Sequence, residues 1–308
     1  MTYLFRSKPR LCLDISNQAL KLLEFSFLKK NPFLSSLSYF PYQNQDELLS
    51  FLKANSLEKQ KLFFALNDSL VITKRLSFSA SLHKQQIEEL IHLDSEKYLG
   101  LTADTIHFDF FIQGKNKENN NLLDVKVIAA KSLDILNIKS FAKEANLTLA
   151  AIRTEDFAFK KAVYFLLTHK AFSFSPLCLL IWLEKESMKL LLIEDKKIIQ
   201  EKKEYFSLPF SLHSPTFLYE RDFNFYINSI YQNISLILSN SLIPTQIWLS
   251  GNMKNLAELG ECLQKEFSIS TKVLNPIKSI PFSKPINYEL VNRFGSSFLI
   301  ALGLSLEG

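Results

Sequence analysis

The fold is decided by two similar stretches, residues 11–15 (LCLDI) with 20–23 (LKLL), and residues 177–181 (LCLLI) with 188–191 (MKLL). Each is a pair of apolar runs separated by a few polar residues, which is typical of two buried strands joined by a tight turn. A third strand, a helix and a fourth strand follow each pair in the same order. The repeated order predicts two lobes of the same βββαβα topology, with a ligand cleft between them.

The segment between the two repeats has its own pattern. Strands are predicted at 71–78, 105–112 and 122–130. One helix is predicted at 82–99, because its apolar residues share one side. The polar run 115–121 is the strongest candidate for a disordered loop. The chain is predicted to close with a single helix at 291–304.

The composition of the 308 residues is that of a globular protein, with 47% hydrophobic residues and a net charge of +5. This apolar content excludes a chain that is disordered throughout. The seven glycines count against a chemistry built on glycine-rich phosphate loops. The weak positive charge has no recognition motif beside it, which counts against nucleic-acid binding. No apolar run is long enough to span a bilayer, so we expect a cytoplasmic protein.

The cysteines and histidines carry no catalytic or metal-binding signature. Cys12, Cys178 and Cys262 lie far apart in apolar runs, which predicts buried free thiols in a reducing compartment. The five histidines have no ligand spacing, and no nucleophile motif accompanies them. We therefore predict neither a metal site nor a catalytic residue.

Several segments along the chain have a recognisable order and spacing. The first is the hairpin of 13–16 (LDIS) and 20–24 (LKLLE). The others lie at 71–76 (VITKRL), 87–91 (IEELI), 95–99 (SEKYL), 108–110 (FDF), 127–131 (VIAAK), 154–158 (TEDFA), 247–251 (IWLSG), 273–277 (VLNPI) and 301–306 (ALGLSL). Together they resemble the PilM family, the actin-like cytoplasmic proteins of type IV pilus assembly, and the hairpin resembles the first phosphate hairpin of that family. The resemblance covers nearly the whole chain.

The resemblance implies an α/β, actin-like (ribonuclease H-like) fold with two duplicated lobes and a subdomain inserted in the first. Residues 1–75, completed by 151–172, would form subdomain 1A. Residues 76–150 would form the inserted subdomain 1C. Residues 173–308 would form the second lobe, subdomain 2A, with a subdomain 2B much reduced, to about 206–220.

The resemblance also suggests where a nucleotide would bind. In actin-like ATPases two hairpins with small residues approach the phosphates, and an Asp in each holds Mg²⁺. The first hairpin of this chain retains Asp14, Ser16 and Lys21, with Asn17 where a small residue is expected. Residues 250–254 (SGNMK) resemble the late nucleotide loop of the family, and we call them the late loop. Gly251 is the glycine that remains in it. These five are the candidate residues of a residual nucleotide site.

The second hairpin, formed by residues 177–191, departs from the family pattern. Trp182 stands where the Asp belongs and Glu184 where a Gly belongs. A Trp cannot bind Mg²⁺, and a Glu repels phosphate. Because phosphoryl transfer depends on positioning and electrostatics, these losses predict a pseudo-ATPase, with ATP and Mg²⁺ at most residual ligands. We expect Trp182 and Trp248 to be core residues that fill the cleft.

The resemblance implies a scaffold that captures the N-terminal cytoplasmic peptide of PilN, an inner-membrane protein. The peptide would lie in a groove between the first lobe and residues 76–150, held by strand pairing and apolar pockets. Individual groove residues are not assigned from sequence. Other implied partners are further inner-membrane pilus proteins and a second copy of the chain. Contact with the membrane would be indirect, through PilN.

Each candidate residue also has a plainer interpretation. Asp14 can bond the turn at Ser16, and Lys21 can be an exposed strand lysine. Glu155 can be an acid at a helix start, and Gly251 can belong to a strand-to-helix turn. Three other functions stay open: an ATP-binding switch that controls PilN binding without hydrolysis, an actin-like component of a type II secretion system, and a kinase-like enzyme of the same superfamily.

Overall fold

The computed structural model describes residues 9–16, 19–28, 31–41, 45–169, 172–184, 187–205, 220–238, 242–253, 255–283 and 285–306. Asn17 therefore lies outside the described residues. Residues 206–219, which carry the predicted remnant of subdomain 2B, lie outside them too.

The described residues contain β-strands that group into three sheets. The strands are β1 (Arg10–Ile15), β2 (Ala19–Leu28), β3 (Asn31–Pro41), β4 (Lys61–Leu66), β5 (Val71–Ser79), β6 (Ile106–Lys115), β7 (Leu122–Lys131), β8 (Thr148–Thr154), β9 (Leu177–Leu183), β10 (Ser187–Glu194), β11 (Lys197–Tyr205), β12 (Gln246–Gly251) and β13 (Ser270–Val273).

Helices connect and cover these strands. They are α1 (Gln45–Ala54), α2 (Lys84–Leu93), α3 (Ser95–Leu99), α4 (Ser132–Glu144), α5 (Glu155–Thr168), α6 (Glu220–Leu238), α7 (Leu256–Phe267), α8 (Tyr288–Phe294) and α9 (Leu299–Ser305). Short 3-10 turns occur as well, and the one at Asp68–Leu70 joins β4 to β5.

The two large sheets have the same strand order, which confirms the predicted duplication. The first sheet runs β3-β2-β1-β4-β8 and the second runs β11-β10-β9-β12-β13. In each, three antiparallel strands are followed by two that join in parallel. The central strand β9 is buried from Cys178 to Leu183, because helices cover both of its faces.

A shared core lies between the two sheets, where α5 packs against α9. It contains Phe159, Trp182 and Trp248 together with the buried residues of α9. The helices approach closely: a Cβ added at Gly303 would lie 1.7 Å from the carbonyl oxygen of Ala158. Only glycine fits there, so α5 and α9 pack directly through their backbones. The two tryptophans are core residues, as predicted.

The third sheet, β5-β7-β6, forms an inserted unit whose core includes Ile87 and Ile91 of α2. Its boundaries differ from the predicted 76–150, because the sheet begins at Val71 and ends at Lys131. Helix α4 instead packs with α1 on the first sheet, and β8 pairs with β4 in that sheet. The inserted unit is thus shorter, and α4 and β8 belong to the first lobe.

Three local predictions were wrong. The helix expected at 82–99 is two helices, because Asp94 leaves the helical conformation (φ −101°, ψ 25°). The run 115–121 is an ordered turn, in which Asn116 Oδ1 accepts hydrogen bonds from the backbone of Glu118 and Asn119. The closing helix is interrupted by a 3-10 turn at Gly295–Phe298, where a Cβ on Gly295 would meet the side chain of Asn275.

The cysteines match the sequence-based expectation in part. Cys12 and Cys178 are buried, whereas Cys262 is half-buried, and the three form no disulfide. Burial raises the pKa of the Cys178 thiol to about 12, so that thiol is unreactive at neutral pH. Within the described ranges, no helix has both the length and the apolar character required to cross a membrane.

Candidate functional site

The first hairpin holds a buried ion pair. Asp14 and Lys21 are register partners on β1 and β2, and Lys21 Nζ lies 2.9 Å from Asp14 Oδ2. Both side chains are fully buried. Burial alone would lower the pKa of Lys21, but the carboxylates of Asp14 and Glu184 outweigh it, so the pKa is raised. The plainer interpretation of Lys21 as an exposed strand lysine was wrong, since the second lobe covers it.

The second hairpin reaches across to the same lysine. Glu184 follows β9, and its Oε1 lies 3.9 Å from Lys21 Nζ. Trp182 lies beside this pair, with Lys21 Nζ 6.0 Å from its ring centre and Phe159 5.8 Å away on the core side. The position predicted for a metal-binding carboxylate is therefore occupied by a core side chain.

Ser16 and Gly251 have structural contacts. Ser16 directs both its backbone N–H and its hydroxyl to the carbonyl of Ala19, which closes the first hairpin. Gly251 pairs with Leu183 in the parallel ladder at φ +131°, and an added Cβ would lie 1.9 Å from the Leu183 carbonyl oxygen. The backbone N–H of Asn252 donates a hydrogen bond to the same Leu183 oxygen. The late loop thus packs on β9.

A second group of charges joins the lobes, and no motif in the sequence predicted it. Asp68 Oδ2 in the first lobe lies 2.6 Å from Lys189 Nζ and 2.8 Å from Lys203 Nζ in the second. We refer to Asp68, Lys189 and Lys203 as the interlobe cluster. Burial acts to raise the pKa of Asp68, but the two ammonium groups outweigh it and the pKa is lowered. Asp68 is therefore ionised at neutral pH.

Glu155 lies between the interlobe cluster and the first hairpin. It is the first residue of α5, as expected, and its carboxylate accepts hydrogen bonds from Asn67 Nδ2 (3.1 Å) and the Asp68 N–H (3.0 Å). Burial, followed by the charges of Asp14, Glu184 and Asp68, raises the pKa of Glu155 to about 8. A buried carboxyl that holds a proton near neutral pH reduces the excess of negative charge in the cleft.

Two further contacts join the lobes on either side of these charges. Lys160 on α5 bridges Asp156 (3.0 Å) and Glu201 on β11 (2.8 Å). The Tyr39 hydroxyl donates to Asn252 Oδ1 at 3.1 Å, and the Tyr39 ring stacks on Phe294. The cleft between the lobes is thus crossed by the protein's own polar side chains.

A groove of about 410 Å³ lies elsewhere, between the first sheet and α4. Its apolar wall contains Ile15, Leu66, Leu70, Ile138 and Phe141. Polar side chains complete it: Asn67, Asp134, Asn137, Ser140 and Glu144. Residues 134–144 fall inside the predicted 76–150, but α4 belongs to the first lobe, so both walls of this cavity lie in that lobe. We refer to this cavity as the groove.

The residues expected to act together are only partly brought together. Asp14 and Lys21 meet, Ser16 closes the adjacent turn, and Gly251 lies on the second lobe. Asp68, Lys189 and Lys203 were missed, because 121 residues separate Asp68 from Lys189. No three His, Cys, Asp or Glu side chains within the described ranges are placed to hold a metal ion.

Two sheets of identical strand order around a shared helical layer define the actin-like class of two-lobed proteins. The model of the type IV pilus assembly protein PilM family matches residues 42–207 and 220–308. The chain belongs to that family.

One solved structure shares the fold, and two others have lower similarity. A PilM-PilN type IV pilus biogenesis complex contains a chain 20% identical to this one, with a TM-score of 0.69 over 96% of this chain and 97% of that one. A Bacteroides thetaiotaomicron protein with an actin-like ATPase fold and unknown function is 11% identical, with a TM-score of 0.48 over 97% and 96%. The cytoplasmic domain of EpsL, an inner membrane component of the type II secretion system of Vibrio cholerae, is 7% identical, with a TM-score of 0.46 over 98% and 97%. No curated protein matches the chain in sequence.

Proposed function

We propose that this protein is a cytoplasmic scaffold of type IV pilus assembly that captures the N-terminal cytoplasmic peptide of PilN in the groove. The groove itself carries the proposal. The choice of partner is supported by family membership and by the fold shared with a chain of a PilM-PilN complex. Such a protein would be held at the inner membrane indirectly, through its partner.

The chemistry of the groove suits a short peptide with apolar and basic groups. Its volume is within the range of ligand pockets, about 300–1,000 Å³. Leu66, Leu70 and Phe141 can receive apolar side chains. Asp134 and Glu144 supply negative charge for a lysine, an arginine or a free terminal amine. The side-chain amides of Asn67 and Asn137 can bond a peptide backbone.

A strand edge lies beside the groove. Strand β5 begins at Val71, directly after the groove residue Leu70, and it is an outer strand of the sheet β5-β7-β6. Among the described strands, β5 pairs with β7 and with no other. An extended peptide leaving the groove could therefore add to β5 by backbone hydrogen bonds, a common mode of peptide recognition.

We also propose that the protein does not hydrolyse ATP. The support is geometric: the two hairpins that would hold phosphates meet through Lys21 and Glu184. Asp14 Oδ2 is committed to Lys21, and the Asn252 N–H to Leu183. These residues do not fit Mg-ATP as they stand. A second candidate, the ATP-binding switch, is favoured by Asp14 Oδ1, which is buried and accepts no hydrogen bond from the described residues.

The test is calorimetric titration with a synthetic peptide of the PilN N-terminus from the same genome, with and without Mg-ATP. We expect the peptide to bind with the same affinity in the presence and in the absence of Mg-ATP. Leu70→Asp, at a half-exposed groove position, should abolish it by placing a charge in the apolar wall. Leu136→Asp is the matched control, since Leu136 is exposed on α4 outside the groove wall. Binding that requires ATP would establish the switch, and absence of binding in both conditions would refute peptide capture.

The enzymatic half of the proposal has its own test. We expect no ATP hydrolysis above that of the Asp14→Ala variant, and no thermal stabilisation by Mg-ATP. A ligand at 100 times its dissociation constant would add about 2.7 kcal/mol to the free energy of unfolding. Turnover that Asp14→Ala abolishes would contradict the proposal.

A further inference from the structure

The turn between β4 and β5 faces two sites at once. Asn67 and Leu70 line the groove. Asp68, between them, extends to the second lobe, where it pairs with Lys189 and Lys203. Asp68 of the interlobe cluster is therefore one residue away from Asn67 and two residues away from Leu70 in the groove wall.

This turn is held firmly, so its parts cannot shift independently. The Asn67 side chain accepts hydrogen bonds from the Ser69 N–H (2.8 Å) and hydroxyl (2.6 Å). Asp68 Oδ1 accepts the N–H of Asp156 at 3.0 Å, and the Asp68 N–H donates to Glu155. A displacement of the Asp68 carboxylate must therefore be transmitted to the groove wall on either side of it.

The charges that fix Asp68 come from the other lobe. Lys189 is almost completely buried and lies over the Phe159 ring, 5.3 Å from its centre, while Lys203 is a quarter exposed at the rim. Neither lysine lines the groove. Two cations on a short carboxylate limit its freedom to a single orientation.

We propose that Lys189 and Lys203 are positioning residues for the groove, acting through Asp68 to hold Asn67 and Leu70 in the conformation that receives a peptide. Contact between the lobes and occupancy of the groove are then coupled, and the coupling is reciprocal. Only the identity of the ligand rests on the proposed function. The coupling itself rests on the turn.

The chain offers two matched controls. Glu201 makes another interlobe ion pair, with Lys160, and forms no ion pair or hydrogen bond with Asp68 or the other described residues of the turn. Lys202 neighbours Lys203 on β11 but pairs with Glu204. Glu201→Gln thus removes an interlobe charge contact without touching Asp68, and Lys202→Gln removes a neighbouring lysine.

The experiment measures two quantities for Lys203→Gln, Lys203→Arg and both controls. The first is the affinity for the PilN peptide. The second, which needs no ligand, is amide hydrogen exchange across residues 64–70. We expect Lys203→Gln to weaken peptide binding about five-fold or more and to speed exchange in 64–70. Lys203→Arg should restore both, because its guanidinium can pair with Asp68, and both controls should behave as wild type.

The outcomes separate the two proposals. Faster exchange in 64–70 without any peptide binding to wild type would uphold the coupling and refute peptide capture. Peptide binding to wild type with Lys203→Gln equal to Lys202→Gln in both readouts would refute the coupling alone. Equal effects of Lys203→Gln and Glu201→Gln would also refute it, since any loss of lobe contact would then suffice. If Lys203→Gln does not fold, the same two quantities are measured for Lys189→Met, which removes the buried lysine of the interlobe cluster.

Discussion

The carboxylate of Asp68 and the ammonium group of Lys189 lie 2.6 Å apart, with 10% and 5% of their side-chain surfaces exposed. They belong to different lobes and to segments that are distant in the chain. A buried charge is stabilised by a partner of opposite charge, so each lobe supplies the counter-charge for a buried group of the other lobe.

Asp68→Asn should strongly destabilise the protein. The amide removes the nearest counter-charge of Lys189 and Lys203, and of the described residues only Asp156, 3.9 Å from Lys189 Nζ, still forms an ion pair with the buried lysine. Removal of one partner from a buried pair costs about 3–5 kcal/mol. Urea unfolding measures this. The exposed Asp104→Asn is the control and should be near neutral. The double variant Asp68→Asn with Lys189→Met should recover part of the loss, and a single-variant cost below about 1 kcal/mol would mean that the cluster contributes little.

Ser140→Trp should block the groove. Ser140 is exposed on α4 and lines the cavity, so an indole at this position fills space that a peptide needs. Calorimetry with the PilN peptide should show affinity reduced at least ten-fold, with an unchanged melting temperature. Lys139→Trp adds the same indole one position away, outside the groove wall, and should bind normally. Equal loss in both variants would show that the peptide binds elsewhere on α4.

Glu155 makes stability depend on pH. Its pKa is about 8 in the folded protein against an ordinary 4.5, so the folded state binds the extra proton between these values. The contribution of Glu155 to the free energy of unfolding is therefore largest below about pH 4.5. It is lost as the pH rises from there through 8, by up to about 1.4 kcal/mol per pH unit. Unfolding titrations at pH 6 and 8.5 should show the decrease in wild type.

Glu155→Gln should remove that decrease, because an amide is neutral at both values and can keep its acceptor oxygen. The exposed Glu88→Gln controls for a general change in charge. A pH dependence that persists in Glu155→Gln would assign the titration to another group of the cleft.

Gly251→Ala should be far more damaging than Gly114→Ala. Both glycines have φ near +130°, where a Cβ is strained by about 1–3 kcal/mol. At Gly114 nothing lies within 4 Å of the new Cβ, whereas at Gly251 it would meet the Leu183 backbone. Urea unfolding should show a further loss of about 2 kcal/mol or more at Gly251. Equal costs would mean that the late loop moves freely away from β9.

The duplicated sheets could be predicted because their signal is local. Each repeat begins with two apolar runs around a short turn, and a parallel strand needs helices on both faces. The boundary of the inserted unit could not be predicted in the same way. The apolar face of α4 has the same helical period whether it packs on the inserted sheet or on the first one, and only the tertiary contacts of Ile138 and Ala142 decide.

Most contacts of the buried charges around Lys21 and of the interlobe cluster could not be predicted from the sequence, for a related reason. A lysine in a strand is expected to face water, which made an exposed side chain the plainer interpretation of Lys21, but Glu184 and Trp182 of the other lobe enclose it. Asp68 lies in a polar Asn-Asp-Ser run that reads as an ordinary turn. Its partners come from two strands of the second repeat, and no spacing along the chain connects them.

The pairing of Val71 with Ala130 brings the entry and exit of the inserted unit side by side. A unit attached through two adjacent strand ends is a module, because a change in its length or sequence does not require the lobe that carries it to be rebuilt. The groove adjoins that attachment point through Leu70. Changes within the module would therefore leave the lining of the groove in place, because that lining lies at residues 15, 64–70 and 134–144 of the first lobe.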